Sequence, residues 1–285
     1  MKKKTFLITL LIFLIAALIY SQKNLISSYL NAPNYEKKSP VVEEEIEIDP
    51  KLLVFMEAKY YVDDNLDRYL AYQERYPDKL IDDIIKEVNS EIDYDFYSNI
   101  YKADTSKGHL TLVNKHSQLE KDFVPANLVA IGGGRSLDAT AFEALKELYE
   151  EAAKAGIYLD ARSAYRSYNN QIATYNHYLR KNGRIQTDKY SARPGHSEHQ
   201  LGLAIDFTIR GTNSFLGEGT KAYQWLINNA HNYGFILRYP KDKEYLTGYM
   251  FEPWHFRYLG KEAAKKIFEN NLTFEEYYAY YLKNK

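Results

Sequence analysis

The chain has 285 residues, 45% hydrophobic and 26% charged, an ordinary globular mixture long enough for one large domain or two modest ones. Its 37 basic and 38 acidic side chains leave a formal net charge of −1, which argues against a protein built mainly to coat nucleic acid. There is no cysteine, so thiol nucleophiles, cysteine zinc sites, iron–sulfur clusters, disulfides and cysteine lipidation fall away together, and any metal must be held by His, Asp and Glu.

Lys2, Lys3 and Lys4 precede an almost unbroken apolar run from Phe6 to Tyr20. A basic stretch followed by a short apolar one is the pattern of an export signal, so residues 1–22 are expected to be a signal peptide or an uncleaved signal anchor. Export without cysteine suits a bacterial cell-envelope protein. Residues 23–50 contain Pro33, Pro40, Pro50 and the acidic run Glu43–Glu47, lack helical periodicity, and read as a disordered tether.

Residues 51–109 read as a helical lead-in. A short helix is expected from Asn65 to Tyr76, closed by Pro77, and Asp78 is expected to cap a second carrying Leu80, Ile81, Ile84, Ile85 and Val88. His109 to Val113 alternates like a strand, and Gly132-Gly133-Gly134-Arg135 reads as a flexible loop. Asp138 is placed to cap a helix that presents Phe142, Leu145, Leu148, Tyr149 and Ala152 and stops at Gly156. Ile157–Ser163 reads as a strand. Ser167 caps the next helix, running through Tyr178 toward Gly183. Leu203–Ile209 is a further strand, and Lys221–Tyr233 is a helix ended by Gly234. Phe235–Tyr239 and Met250–Tyr258 read as strands, and Thr273-x-x-Glu276 is a capping box opening a last helix. The irregular alternation implies an α+β fold, a small antiparallel sheet with helices packed on it, over residues 110–285.

Of seven histidines, His109, His116, His177 and His231 have no clustered acidic or histidine partner and read as structural or surface residues. His199 stands seven residues before Asp206 in Ser197-Glu198-His199-Gln200-Leu201-Gly202-Leu203-Ala204-Ile205-Asp206, and His255 closes Glu252-Pro253-Trp254-His255. Two imidazoles and a carboxylate make the three-ligand count of a catalytic zinc site. A lone Asp in an apolar strand could instead be a satisfied buried acid, but unpaired burial is costly and a metal would relieve it. Gly202 and Ala204 let the chain turn and pack closely between the first two ligands. Glu252 is the candidate general base for a metal-activated water. Strict alternation would set Glu252 and His255 on opposite faces, unless Pro253 breaks the strand. Arg166, at a strand-to-helix junction, suits a carboxylate or developing oxyanion, and Gln171 one turn on could serve the same ligand. Ser167 there reads first as an N-cap.

Taken together these motifs resemble the VanY-like D-alanyl-D-alanine and L,D-carboxypeptidases, zinc peptidases that share their fold with lysostaphin-type enzymes and the hedgehog domain. The resemblance rests on Ser197 to Asp206, Glu252 to His255, Tyr165-Arg166-Ser167 with Gln171, Ala192 to His196, Gly234 to Pro240 and Thr247-Gly248-Tyr249, and it spans roughly Leu110 to Tyr278. It implies Zn²⁺ held by His199, Asp206 and His255, Glu252 as catalytic base, Arg166 on the substrate carboxylate or scissile carbonyl, and Gln171 and Ser197 as substrate contacts. The implied substrate is a peptidoglycan stem peptide losing a terminal D-alanine, with D,D, L,D or dipeptidase specificity open. The implied setting is the outer face of a bacterial, Gram-positive envelope, reached as a monomer that touches membrane only through its N-terminal segment. The alternative in another class is a catalytically silent, zinc-bearing wall-binding module, which would have no need of Glu252. Tyr165, Tyr239, Tyr249 and Tyr258, four of 28 tyrosines, lie in or beside the motifs and are candidates to line the cleft.

Overall fold

The computed structural model describes residues 49–283. The expected signal segment lies outside the described residues, as does all of the tether except Asp49 and Pro50. Those two begin a helix, α1 (Pro50–Met56): the Asp49 carboxylate accepts from the Lys51 N–H, and Pro50 occupies the first turn, where no N–H is needed. Among the described residues no helix is long and apolar enough to cross a membrane.

Helices α2 (Leu66–Arg75) and α3 (Ile81–Asn89) pack with α1 around Phe55, Tyr69, Tyr72, Ile84, Ile85 and Val88, a small core of their own. Asp78 does not cap α3. The chain makes a turn at Tyr76–Lys79, the helix starts after Leu80, and Leu80 is 71% exposed rather than part of the apolar face. Nor is His109–Val113 a strand. Thr105–Leu110 forms a 3₁₀ turn broken at Gly108, and the extended stretch after it is buried without joining a ladder. The nearby pairing is instead a two-residue parallel contact between β1 (Tyr101–Lys102) and β2 (Ser117–Gln118).

The three consecutive glycines are an ordered feature. They turn a hairpin between β3 (Leu128–Gly132) and β4 (Arg135–Asp138), and all three have positive φ, a region glycine enters without steric cost. At the hairpin's end Asp138 caps α4 (Ala139–Lys154), accepting from the N–H groups of Thr140 and Ala141. Leu145, Leu148 and Ala152 of α4 are fully buried. Then come β5 (Leu159–Ser163), α5 (Tyr168–Thr187, capped by Ser167 and broken at Gly183), and β6 (Ala204–Ile209). The C-terminal third contains α6 (Lys221–Asn229), β7 (Phe235–Leu237), the one-turn α7 (Glu244–Thr247), β8 (His255–Tyr258), α8 (Lys261–Glu269) and α9 (Phe274–Tyr281). The capping box of Thr273 and Glu276 opens α9 as expected.

Strands β5, β6, β8 and β7, in that order, form an antiparallel four-stranded sheet. Alternation divides each central strand between two faces. Ile205 and Phe207 of β6, with Phe256 and Tyr258 of β8, enter the main core beside α4 and α6. Asp206, His255 and Arg257 are left on the other face. Tyr258 is therefore a core residue and not part of the cleft. The expected strand from Met250 is shorter, because β8 begins only at His255: Glu252 to Trp254 form a turn in which the His255 N–H donates to the Glu252 carbonyl. The C-terminal helices close a further core around Leu112, Ile236, Leu259 and Phe274, and the lead-in docks there through stacking of Tyr60 on Tyr280.

Gly202 ends the 3₁₀ turn Glu198–Leu201 with φ of +67°. Its carbonyl accepts from the Asp138 N–H at 2.8 Å, which ties the turn to the β3–β4 hairpin. A Cβ there would meet Leu128 Cδ2 at 2.8 Å. The leucine methyl can move, but the left-handed backbone cannot be relieved, so Gly202→Ala should lower unfolding free energy by about 1–2 kcal/mol, measured by urea denaturation.

Candidate active site

Asp206 and His255 are register partners on β6 and β8, so the backbone ladder itself sets them side by side. His199 arrives from the turn Glu198–Leu201, whose position is fixed by the Arg166 N–H donating to the His199 carbonyl at 3.0 Å. All three side chains are buried. His199 Nε2 lies 3.3 Å from Asp206 Oδ2, and His255 Nδ1 lies 3.1 Å from Asp206 Oδ1. Each residue offers one ligand atom, and the three atoms lie within 4.8 Å of one another.

The ring orientations decide which nitrogens face this point. His199 Nδ1 is 2.6 Å from the Ala164 carbonyl, an obligatory acceptor, so Nδ1 carries the proton and Nε2 keeps its lone pair toward Asp206. His255 is turned the other way, with Nδ1 toward Asp206. Burial opposes charge on Asp206, but His199 and His255 outweigh it and hold the carboxyl well below the usual range. For His255, burial disfavours the imidazolium, yet hydrogen bonds to Asp206 and Glu198 push it up to about 9. The space between His255 Nδ1 and Asp206 is thus one that favours a cation, and two imidazole nitrogens with one carboxylate oxygen are the donors zinc prefers.

Glu252 joins the cluster because the Pro253 turn interrupts strand alternation: its Oε2 is 3.7 Å from His255 Nδ1. Burial pushes Glu252 up to about 8, with His255 pulling down and Asp206 pushing further up. Arg166 also borders the cluster, its guanidinium 3.8 Å from Asp206 Oδ2. Two bonds aim it: Nη1 donates to Gln171 Oε1 and Nη2 to Ser163 Oγ, both at 2.8 Å. Gln171 in turn donates to the Ala192 carbonyl at 2.6 Å. Ser167 is confirmed as an N-cap, accepting from the Asn170 N–H. Ser197, Tyr239 and Tyr249 line the same cleft, whereas Tyr165 does not. Among the described residues no lysine and no second arginine lines it, so Arg166 is its one guanidinium. Of the remaining five histidines, His109 and His177 are exposed, His116 and His196 are buried and His231 stacks on Phe268, all outside the cleft.

Residues 134–261 match the family described as VanY: D-alanyl-D-alanine carboxypeptidase. YodJ of Bacillus subtilis (strain 168) is 38% identical over 210 residues, spanning 67% of this chain and 77% of YodJ. The chain belongs to the VanY family. Among solved structures, the LdcB LD-carboxypeptidase is 38% identical with a TM-score of 0.59, covering 64% of this chain and 90% of LdcB. A point mutant of VanY, a vancomycin-resistance D,D-pentapeptidase solved in complex with Zn(II), is 35% identical with a TM-score of 0.54, covering 59% of this chain and 98% of that one.

Three features of this VanY family member escaped the sequence reading. Glu198, between Ser197 and His199, is fully buried against Arg238 and Arg257. The signal was present, since Arg238 follows Phe-Ile-Leu and Arg257 sits between Phe256 and Tyr258, and charges inside apolar strands need partners. Phe215 and Trp254 pack against each other along the cleft lining, ring centroids 4.9 Å apart and tilted by 33°, and no motif points to Phe215. Tyr97 of the lead-in touches the wall of the cleft, its hydroxyl 3.3 Å from that of Tyr249 and its ring beneath the Arg193 guanidinium at 3.9 Å. Only the folded chain brings residues so far apart in sequence together.

Proposed function

We propose that this chain is a zinc-dependent carboxypeptidase that removes the terminal D-alanine from peptidoglycan stem peptides at the outer face of the cell envelope. The observation that carries the reading is the buried His199–Asp206–His255 cluster with Glu252 and Arg166 both within 4 Å of its ligand atoms. His199 Nε2, an Asp206 carboxylate oxygen and His255 Nδ1 would hold the metal. Bound there, zinc supplies Lewis acidity, which acidifies water and polarises a carbonyl oxygen.

The chain's own groups perform the rest. Glu252 accepts the proton of the attacking water on a carboxylate oxygen and returns it to the leaving amine. Arg166, kept in place by Ser163 and Gln171, engages the substrate carboxylate or the carbonyl oxygen as negative charge develops. Ser197 contributes a hydroxyl to the same cleft. Burial of Glu252 against the cluster favours an enzyme over a silent wall-binding module, because a purely structural metal site gains nothing from a further buried carboxylate. The basic and apolar N-terminus supports export of residues 110–285 on a tether.

The test is incubation of the full chain with purified tetrapeptide and pentapeptide stems, followed by mass spectrometry. Loss of one alanine residue is expected, abolished by chelation and restored by zinc. Intact peptides after treatment with zinc-loaded protein would leave the binding-module reading in its place.

A further inference from the structure

We propose that Glu198 is a positioning residue for the metal centre: it accepts the Nε2–H of His255 and so fixes the ring with Nδ1 toward the metal. This rests on the zinc reading above.

With His255 Nδ1 turned to Asp206, the ring's remaining proton sits on Nε2, and Glu198 Oε2 faces that atom at 3.4 Å. The two oxygens of Glu198 are divided between tasks. Oε1 accepts from Arg238 Nε at 2.7 Å and from Arg257 Nη1 at 2.9 Å, leaving Oε2 for the imidazole. Both guanidinium groups are themselves immobilised. Arg257 Nη2 donates to the carbonyls of His109 and Thr111, each at 2.9 Å. Arg238 forks onto Glu275 of α9, at 2.9 and 2.6 Å.

Two arginines and two glutamates thus form a buried, charge-balanced quartet whose one spare acceptor points at a metal-ligand ring. A hydrogen-bonded carboxylate behind a ligating histidine sets its tautomer and orientation and raises its basicity. The 3₁₀ turn therefore serves the site twice, presenting His199 as a ligand and steadying His255 with the residue before it. Glu275 lies outside residues 134–261, so α9 is wired into the centre from beyond the segment that matches the family.

Glu198→Gln discriminates well, because an amide has one acceptor oxygen. Whichever way it turns, an N–H₂ group faces either an arginine or His255 Nε2–H, donor against donor. Zinc affinity of the full chain would be measured by chelator competition, with folding checked by circular dichroism. Glu198→Gln is expected to weaken zinc roughly 10- to 100-fold, and Glu275→Gln to weaken it less, since it acts through Arg238. Folded Glu198→Gln with zinc affinity within about twofold of wild type overturns the proposal. Should that variant not fold, ¹⁵N NMR of the wild-type imidazoles decides. Zinc-loaded protein is expected to carry the His255 proton on Nε2 in a hydrogen bond, and a proton on Nδ1 sinks the proposal. Wild type that binds no zinc overturns the metal reading itself and this proposal with it, whereas wild type that binds zinc beside an unaffected variant overturns only this one.

Discussion

Glu252→Gln is expected to lower kcat on stem peptides by on the order of 1000-fold while zinc affinity stays near that of wild type. The substitution keeps shape and removes the only feature the mechanism uses, an oxygen able to take up and return a proton. Glu252 is not one of the three clustered ligand atoms, so the metal should remain. Steady-state kinetics beside a chelator-competition measurement separates the two effects: normal turnover in a zinc-loaded variant would remove Glu252 from the base role. The same variant has a stability signature. Burial raises Glu252 from 4.5 in the unfolded chain to about 8 when folded. Between those values the folded state binds more protons than the unfolded one, so wild-type stability falls as pH rises through this window. An amide does not titrate. Metal-free Glu252→Gln should therefore lose less stability than metal-free wild type between pH 4.5 and pH 8, which thermal melts across that range would register.

Arg238→Met should cost about 3–5 kcal/mol of stability. Arg238 is completely buried and supplies three of the bonds that neutralise Glu198 and Glu275. Methionine fills most of the volume but leaves Glu275 buried without its cation and Glu198 with Arg257 alone. Burial of that kind is tolerated only while paired, and breaking one partner is far worse than never having had the pair. Adding Glu275→Gln to Arg238→Met should recover part of the loss, because it removes the carboxylate left stranded. Urea denaturation of the two single variants and the double variant measures this coupling, and strictly additive losses would show that the quartet does not act as a unit.

Much of this protein was legible in one dimension. The α+β class, most of the helices, the caps at Asp138, Ser167 and Thr273, and the stop at Gly156 follow from local rules, because a capping oxygen needs only a neighbour two or three residues away and a helical face repeats every turn. The candidate ligands, Glu252 and Arg166 were legible for a different reason: polar groups of suitable chemistry stand at odds with the apolar stretches around them. Where the apolar pattern misled, an adjacent turn or the want of a partner strand decided the outcome. Leu80 looks like part of an apolar face until the turn at Tyr76–Lys79 excludes it. His109–Val113 alternates like a strand but finds no ladder partner.

The sequence by itself determined which side chains could bind a metal, move a proton or hold an anion, since that depends only on their chemistry. Tertiary structure alone decided that they meet. The pairing of β6 with β8 puts Asp206 opposite His255, and the Pro253 turn brings Glu252 to the face that alternation would have denied it. The orientation of His255 toward Asp206 and Glu198, and the tie from that ring through Arg238 to Glu275, depend on distances between residues 37 to 57 positions apart. No local rule reaches so far, because such contacts form only after the chain has closed the loops between them.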